Sequence, residues 1–322
     1  MVKHAKRNDH YVNLFKKNNK TFANAHYLNE GGFGFIYKAY HKPSNQEVVV
    51  KILSLEDKDE KLARKVFINE IKTLESLSHP NIVPILYSNK KLLHFALPYA
   101  FGGNLANFVQ QLTWSKQQVE LSLCHVFIQL VNAVCYLHEN GVIHNDIKTD
   151  NVLMMTVGSL PDVNLTDFDS SFRIDDPEES SFYPGTWLHA APEQVRNLKI
   201  RHSLGDHGGG AGGGGDAADD DNDNKHFHPC TTAVDIYSIG LCLYESMKRD
   251  YWNNLDETKS KVLERMKSNR FVENLVSGLK YRNIFSKNMY CFLKKCLKFD
   301  KDDRATADGL RCHQWFQNQK TK

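Results

Sequence analysis

Short apolar stretches alternate with polar turns over the first third of the chain. β-forming residues flank a glycine turn in HYLNEGGFGFIYKAY, the polar turn HKPSNQE follows, and EVVVKIL has the composition of a β-branched strand. The segment KDEKLARKVFINEIKTLESL has a helical period, and its apolar side comprises Leu62, Val66, Phe67, Ile71, Leu74 and Leu77. Two further strands are predicted in NIVPILYS and KLLHFALPY. The pattern predicts a small antiparallel sheet with a single helix.

Longer helical periods begin after Gly102 and Gly103. The segment SKQQVELSLCHVFIQLVNAVCYLHENG predicts a long, largely apolar helix, and Gly141 is placed as its C-terminal stop. Short strands and loops follow, and VDIYSIGLCLYESM and NMYCFLKKCLKF predict further buried helices. We therefore expect an α+β fold of two lobes, a small β-rich lobe with one helix (22–98) and a larger, mainly α-helical lobe (99–318).

Two segments differ from this pattern. Residues 205–224, GDHGGGAGGGGDAADDDNDN, combine polyglycine with aspartates and cannot bury apolar surface, so we expect a disordered, low-complexity insert. Residues 1–21 are basic and lack the apolar core of a secretory signal. We interpret them as a solvated N-terminal extension, with a localisation or phosphate-binding tail as the alternative, ahead of a domain spanning 22–318.

Composition narrows the class of protein. Hydrophobic residues make up 41% and charged residues 25% of the 322 residues, which is typical of a globular protein. A net charge of +3 is too small to indicate nucleic acid or a membrane as a partner. The seven cysteines are scattered through apolar patterns, which is typical of reduced thiols. No apolar run approaches the ~20 residues that span a bilayer, so we expect a cytoplasmic and/or nuclear location.

A glycine turn and a lysine suggest phosphate binding. Glu30-Gly31-Gly32-Phe33-Gly34 lies between two predicted strands, and glycines there allow backbone amides to approach a polyphosphate. Lys51 ends the strand VVVK, and Glu70 follows 19 residues later on the helix. A buried lysine needs a carboxylate partner, and this pair would direct the ammonium toward phosphates. Either feature alone is also typical of an ordinary hairpin or a solvated surface.

The segment VIHNDIKTDNVL carries the most specific pattern. It places Asp146, Lys148 and Asn151 in one loop after a buried helix, and Asp167 follows in VNLTDFD. If these residues had only structural roles, several polar side chains would be buried without evident hydrogen-bond partners. A role in phosphoryl transfer explains these four residues. They would supply a carboxylate base, a cation for the transferring phosphate and two oxygen ligands for Mg²⁺.

The chain resembles the eukaryotic protein kinase family, serine/threonine type, in the order of its motifs. These motifs are a glycine turn, VVVK, a helix glutamate, HNDIKTDN, DFD, APE and a later arginine. The resemblance covers about residues 22–316, nearly the whole chain. It implies the two-lobed protein kinase fold, and an enzyme that transfers the γ-phosphate of Mg-ATP to serine or threonine hydroxyls of protein substrates.

The resemblance also implies where ATP binds. Backbone atoms of Pro98 and Ala100 would form hydrogen bonds with the adenine, and the phosphates would lie under Asn29, Gly31 and Gly34. Two apolar residues would cover the adenine, two would line it and one would be the gatekeeper: Leu28 and Ile36, Val49 and Leu153, and Leu97.

Further residues acquire roles in phosphoryl transfer from the same resemblance. Lys51, paired with Glu70, would hold the α- and β-phosphates. Asp146 would accept the proton of the substrate hydroxyl, and Lys148 would contact the γ-phosphate. The implied ligands of Mg²⁺, for which Mn²⁺ is an alternative, are Asn151 and Asp167.

Other matching positions have supporting roles in the family. Glu193 of APE would pair with Arg304, and Asp235 would support the catalytic loop from below. His313-Gln314-Trp315-Phe316 resembles the closing helix of the large lobe. A lysine two residues after the catalytic aspartate, with Thr186 before APE, is similar to serine/threonine kinases.

Four positions depart from the family pattern. Asn29 replaces the first glycine of the nucleotide turn, and asparagine tolerates left-handed backbone angles better than most residues. Pro98 replaces the usual hinge acid but keeps the backbone carbonyl. Asn145 replaces an arginine that usually pairs with a phosphorylated loop, so we expect little dependence on such phosphorylation. Asp169 replaces a glycine beside the metal ligand, where it could restrict the segment, change the metal preference, or point to solvent.

Two other functions stay open. The first is a pseudokinase that acts as a nucleotide-binding scaffold or regulatory module, which Asn29 and Asp169 favour. The second is a metal site in His226-Phe227-His228-Pro229-Cys230, although the spacing of these residues fits no zinc module. The insert 205–224 could tune the choice of protein substrates by attracting basic sequences. No nucleic-acid, membrane or regulatory partner is indicated.

Overall fold

The small lobe of the computed structural model is built around a five-stranded antiparallel sheet. Its strands are β1 (Phe22–Gly31), β2 (Gly34–His41), β3 (Gln46–Leu53), β4 (Tyr87–Asn89) and β5 (His94–Pro98). They lie in the order β1-β2-β3-β5-β4. The structure describes residues 12, 15, 20–32, 34–54, 60–112, 115–176, 186–203, 230–248, 266–280 and 286–317.

The register of the strands assigns side chains to the two faces of this sheet. Ile36 pairs with Lys51 and Val49 pairs with Leu97, so these four side chains lie on the face that borders the cleft. Val50 points to the opposite, outer face, because side chains alternate along a strand, and it is fully buried. Both faces of the sheet are therefore covered, which explains why apolar residues occupy successive positions in EVVVKIL.

Two residues of the N-terminal extension help to cover the outer face. Val12 and Phe15 are 5% and 2% exposed. The Phe15 ring lies 5.8 Å from Phe22, 6.1 Å from Tyr37 and 5.3 Å from His94. The expectation of a solvated extension is wrong for Val12 and Phe15, because burying apolar side chains against this face outweighs the cost of ordering them.

Helix α1 (Glu60–Ser76) packs against the sheet, as the periodicity predicted. Phe67, Ile71 and Leu74 are buried, and the Phe67 ring lies 5.3 Å from Phe95 of β5. Glu70 lies on the same buried side of the helix. This packing brings a carboxylate to the cleft face of the sheet.

The prediction of a strand across NIVPILYS is wrong for most of its length. Regular strand structure begins only at Tyr87. Ile82 instead forms an isolated parallel bridge with Leu165, and the Val83 N–H donates to the Leu165 carbonyl at 3.0 Å. Pro84 lacks the N–H that a sheet ladder would need, which favours this departure from the strand pattern.

The large lobe is mainly helical. Its described helices are α2 (Leu105–Gln111), α3 (Lys116–Glu139), α4 (Pro192–Ser203), α5 (Ala233–Lys248), α6 (Asn269–Lys280), α7 (Lys287–Cys296), α8 (Ala307–Arg311) and α9 (Gln314–Gln317). Ser115 and Gln118 form a capping box at the start of α3, and Gly141 follows its end with a φ of +73°. The predicted helices of this lobe are confirmed.

Helix α3 forms the centre of the large lobe and contacts α5, α8 and the strand at Val163–Leu165. By length and composition alone it could cross a membrane, with a mean hydropathy of 1.5 over its most apolar window. Most of that window is buried inside the protein, which is also typical of a core helix.

Two short ladders position the loops of the cleft. They pair β6 (Val142–Ile143) with β9 (Phe172–Arg173), and β7 (Val152–Met154) with β8 (Val163–Leu165). The loop between β6 and β7 therefore lies beside the segment between β8 and β9. The predicted α+β fold with two lobes is confirmed. The insert 205–224, residues 226–229, and Ser180 and Ser181, the serines of the loop before APE that are candidate phosphorylation sites, lie outside the described residues.

Candidate active site

Lys51 lies at the centre of a charged cluster in the cleft between the lobes. Its Nζ is 3.0 and 2.8 Å from the two carboxylate oxygens of Glu70 and 2.9 Å from Asp167 Oδ1. The Lys51 side chain is 7% exposed and that of Glu70 is 2% exposed, whereas that of Asp167 is 31% exposed. The pair predicted from the sequence therefore exists, and Asp167 completes it on the side open to the cleft.

Burial and charge together set the pKa values of this cluster. Burial raises the pKa of Glu70 to about 8, although Lys51 acts in the opposite direction. Burial opposes the charge of Lys51, but Asp167, Glu70 and Asp169 together raise its pKa well above the ordinary value. Burial also opposes ionisation of Asp167, yet Lys51 lowers its pKa. The cluster thus keeps a cation and an exposed carboxylate facing the cleft.

The loop between β6 and β7 holds Asp146 by both carboxylate oxygens. Asp146 Oδ1 accepts from the Thr186 N–H at 2.5 Å. Oδ2 accepts from Lys148 Nζ at 2.7 Å and from Asn151 Nδ2 at 3.2 Å. Lys148 Nζ also donates to Thr186 Oγ1 at 2.8 Å, so a residue 38 positions away is tied to the loop. Burial opposes the charge of Lys148, but Asp146 raises its pKa.

The same loop is supported from below by Asp235 of α5. Its oxygens accept from the backbone N–H groups of His144 at 3.0 Å and Asn145 at 2.9 Å, and from His138 Nε2 at 2.9 Å. Although Asp235 is buried, the hydrogen bond and charge of His138 lower its pKa. These bonds hold Asn145 at a φ of +67°, in the left-handed region. The supporting position predicted for Asp235 is where the structure places it.

Asn151 and Asp167 offer oxygen atoms that suit Mg²⁺. Asn151 Nδ2 donates to the Asp146 carbonyl at 2.9 Å, which orients the amide, and within the described residues its Oδ1 accepts no hydrogen bond. Asp167 has a φ of +65°, a left-handed angle that is uncommon outside functional sites for a residue other than glycine. Amide and carboxylate oxygens are the ligands that Mg²⁺ and Mn²⁺ prefer, so the two residues fit such an ion.

Three of the five apolar residues predicted to surround an adenine share the cleft face of the sheet. Val49 and Leu97 are cross-strand partners, and Ile36 lies on the same face of the sheet. Leu28 of β1 is 46% exposed, and Leu153 of β7 is half-buried. We refer to these five residues as the apolar slot, because apolar side chains predominate in the lining of small-molecule sites.

The connection between the lobes leaves backbone groups for a ligand. Within the described residues the Ala100 N–H has no hydrogen-bond partner, and the Ala100 carbonyl accepts from the Gly103 N–H at 3.3 Å. Pro98 ends β5 opposite Val48, so its carbonyl lies at the start of this connection. Both predicted hinge residues therefore lie where the chain leaves β5.

Comparison with known families decides the class of protein. A family model described as the protein kinase domain matches residues 22–206 and 225–316, which is most of the chain. The chain belongs to the protein kinase family. The unmatched interval, 207–224, falls within the low-complexity segment.

Similar proteins include several kinases from distant organisms. The serine/threonine-protein kinase STE20 of Saccharomyces cerevisiae is 28% identical over 90% of this chain and 26% of its own length. The serine/threonine-protein kinase dst2 of Dictyostelium discoideum is 29% identical over 91% of this chain and 22% of its own. The serine/threonine-protein kinase PknD of Protochlamydia amoebophila is 24% identical over 86% of this chain and 28% of its own length. The chain spans about a quarter of the length of these curated relatives.

The glycine turn of this kinase depends on Gly34 more than on its other glycines. A methyl group added at Gly34 would lie 2.6 Å from the Ile52 carbonyl oxygen, whereas Gly31 has room for one. Asn29 of β1 pairs with Ile36 of β2 and does not have a positive φ. The tolerance of asparagine for left-handed angles is therefore not needed at Asn29, because an irregular register shapes the strand instead.

The aspartate that replaces glycine in this kinase, Asp169, points into the cleft and not to solvent. Its side chain is 9% exposed, and Oδ2 lies 3.8 Å from Lys51 Nζ. Ser170 Oγ donates to Asp169 Oδ1 at 3.0 Å. Burial and the neighbouring Asp167 raise the pKa of Asp169 to about 6. The sequence left three roles open for Asp169: restricting the segment, changing the metal preference, or pointing to solvent. The prediction that it points to solvent is wrong.

Asn145 joins three segments of the kinase through its side chain. Its Nδ2 donates to the Ser170 carbonyl at 3.2 Å, and its Oδ1 accepts from Gln194 Nε2 at 2.7 Å. Gln194 Oε1 in turn accepts from the Ala191 N–H at 2.7 Å. Asn145 and Gln194 are both buried. Gln194 was missed by the sequence reasoning, and only its position directly after APE could have drawn attention to it.

The ion pair predicted at the base of the large lobe is present. Arg304 Nη1 lies 2.6 Å from Glu193 Oε1, and Nη2 lies 2.8 Å from Oε2. Such a two-point pair orients both planar groups. It attaches the start of α4 to the segment before α8.

Proposed function

We propose that this chain is a serine/threonine protein kinase that transfers the γ-phosphate of ATP to hydroxyl groups of protein substrates. The contacts of Asp146 with Lys148 and Thr186 carry this proposal, because they join a base, a phosphate-binding cation and the activation segment in one hydrogen-bonded unit. The Lys51–Glu70 pair adds a fixed cation across the cleft.

Asp146 acts as the general base in this proposal. A carboxylate has about four lone-pair positions, and within the described residues three of those of Asp146 accept hydrogen bonds. The remaining position accepts the proton of the substrate hydroxyl. The hydroxyl oxygen bonds to the γ-phosphorus, the bond from that phosphorus to the bridging β-phosphate oxygen breaks, and ADP leaves. Lys148 stabilises charge on the transferring group.

The other site residues orient the nucleotide and the metal. Lys51 holds the α- and β-phosphates, because Glu70 fixes the position of its ammonium. Asn151 Oδ1 and Asp167 would ligate Mg²⁺, or Mn²⁺ in its place. The ion would neutralise phosphate charge, as in this class of reaction. The apolar slot binds the adenine, with hydrogen bonds to the backbone at Ala100.

Transfer of ³²P from ATP to general protein substrates tests the activity. Asp146→Asn is expected to lower the rate by about 10²–10⁴-fold, because the amide cannot accept the proton. Asp150→Asn is the matched control, since it removes an exposed carboxylate from the same loop, and its rate should stay within about twofold of wild type. Phosphoserine and phosphothreonine in the product would support the acceptor class.

The result that would favour the alternative is equally specific. ATP-dependent thermal stabilisation without any transfer, with Mg²⁺ and separately with Mn²⁺, would indicate a pseudokinase that binds nucleotide as a scaffold. Equal transfer by wild type and Asp146→Asn would show that Asp146 is not the base.

Activity is expected to be insensitive to phosphorylation of the activation loop. Asn145 carries no charge to pair with a phosphate, and its amide already binds Ser170 and Gln194. Phosphatase treatment should leave the rate unchanged, and a collapse of the rate would contradict this part of the proposal. We further propose a cytoplasmic and/or nuclear location, which immunofluorescence of the tagged full chain would test.

A further inference from the structure

The Asp169 carboxylate lies between the glycine turn and Lys51. Its Oδ2 is 3.8 Å from Lys51 Nζ. A methyl group added at Gly32 would have Asp169 Oδ2 as its nearest neighbour, at 3.8 Å. The side chain is 9% exposed and is therefore enclosed beneath the turn. The space that nucleotide phosphates would use in the proposed function thus contains an anionic group of the protein.

Lys51 already has acidic partners before any nucleotide enters. Glu70 and Asp167 lie within 3.0 Å of its ammonium, and Asp169 adds a third acidic group. The Asp169 oxygens receive one hydrogen bond within the described residues, from Ser170 of the same segment. Like charges a few ångströms apart in a poorly solvated cleft repel strongly. An entering polyphosphate must therefore displace this carboxylate or bring cations to offset it.

We propose that Asp169 competes with nucleotide phosphates for Lys51 and for the space under the glycine turn, so that nucleotide binds tightly only with divalent cations. Asp169 is a residue that sets the metal requirement of nucleotide binding. This inference depends on the proposed function only in assuming that the cleft binds ATP and ADP. Neutralising Asp169 should therefore strengthen metal-free binding much more than metal-assisted binding.

Isothermal titration with ADP, in excess EDTA and separately in Mg²⁺, tests the inference. Wild type and variants are compared at the same pH, pH 8. Asp169→Asn keeps the size of the side chain and removes its charge. Asp162→Asn removes one exposed carboxylate from the turn before β8 and serves as the control for net charge. Metal-free affinity should rise about tenfold in Asp169→Asn, which corresponds to about 1.4 kcal/mol, and stay near wild type in Asp162→Asn.

The outcomes are separable. A metal-free gain of at least fivefold over Asp162→Asn, with a smaller gain in Mg²⁺, supports the inference. A smaller metal-free gain, or an equal gain in both conditions, overturns it even if Mg-ADP binds and transfer occurs. If Asp169→Asn does not fold, Asp169→Gly is judged by the same limits, because glycine is the usual residue there. Absence of ADP binding by wild type and variants in Mg²⁺ would overturn both this inference and the proposed function.

Discussion

Removing the Arg304 side chain is expected to destabilise the large lobe strongly. In Arg304→Met the carboxylate of Glu193, which is 6% exposed, would keep its charge and lose its partner. Breaking a buried ion pair in this way costs about 3–5 kcal/mol, because the remaining charge is left without compensation.

Other contacts of the guanidinium place the cost toward the upper end of that range. Arg304 donates to the carbonyls of Lys298 at 2.9 Å, Ala233 at 3.0 Å and Phe299 at 3.2 Å. Each buried carbonyl left without a donor adds to the cost. At about 2 °C per kcal/mol for a large domain, the melting temperature should fall by roughly 6–10 °C.

Thermal unfolding at one fixed scan rate measures this effect against a matched control. Arg311 and Asp308 form an ion pair only a few residues away, but their side chains are 44% and 68% exposed. Loss of an exposed pair has little effect on stability, so Arg311→Met should melt within about 2 °C of wild type.

A second variant separates charge from packing. The double variant Glu193→Gln, Arg304→Met removes both charges of this ion pair. It should therefore be more stable than Arg304→Met alone. The reasoning would be refuted if Arg304→Met melted within 2 °C of Arg311→Met, or if the double variant were the less stable.

Three further predictions concern other parts of the molecule. Asn145→Ala should lower kcat by up to about 30-fold with little change in the KM for ATP, because it loses two hydrogen bonds of about 1 kcal/mol each. Phe15→Ala should lower the free energy of unfolding by about 3 kcal/mol in urea titrations, because it removes a buried ring. Asp235→Asn should flatten the loss of stability between pH 5 and pH 3: a depressed pKa stabilises the fold above the ordinary value of 3.8, and this contribution disappears as pH falls.

Each of these has a result that would contradict it. Gln194→Met should match Asn145→Ala, and the double variant should be no worse than either, so additive losses would argue against a shared unit. A Phe15→Ala protein as stable as wild type would mean that the N-terminal residues do not support the sheet. Identical pH profiles for wild type and Asp235→Asn, followed by urea midpoints, would show that Asp235 titrates normally.

Much of the fold follows from local pattern alone. The helical period around Phe67 and the apolar run before Lys51 predict α1 and β3 correctly, because burial of one face imposes a fixed spacing on the chain. The strand predicted through Pro84 failed, since a local pattern cannot say which lobe a segment will pair with. Long-range pairing there outweighed β propensity.

The candidate site also has features that the sequence predicts and features that only the fold determines. The sequence by itself determined which chemical groups are available, because Lys51, Asp146 and Asp167 occur in an ordered pattern that makes sense for phosphoryl transfer. Only the tertiary structure decided that Asp169 faces Lys51 and that Asn145 binds Gln194, 49 residues away. Spacing along the chain specifies the side of a helix or strand, but a loop side chain takes its direction from segments that pack against it.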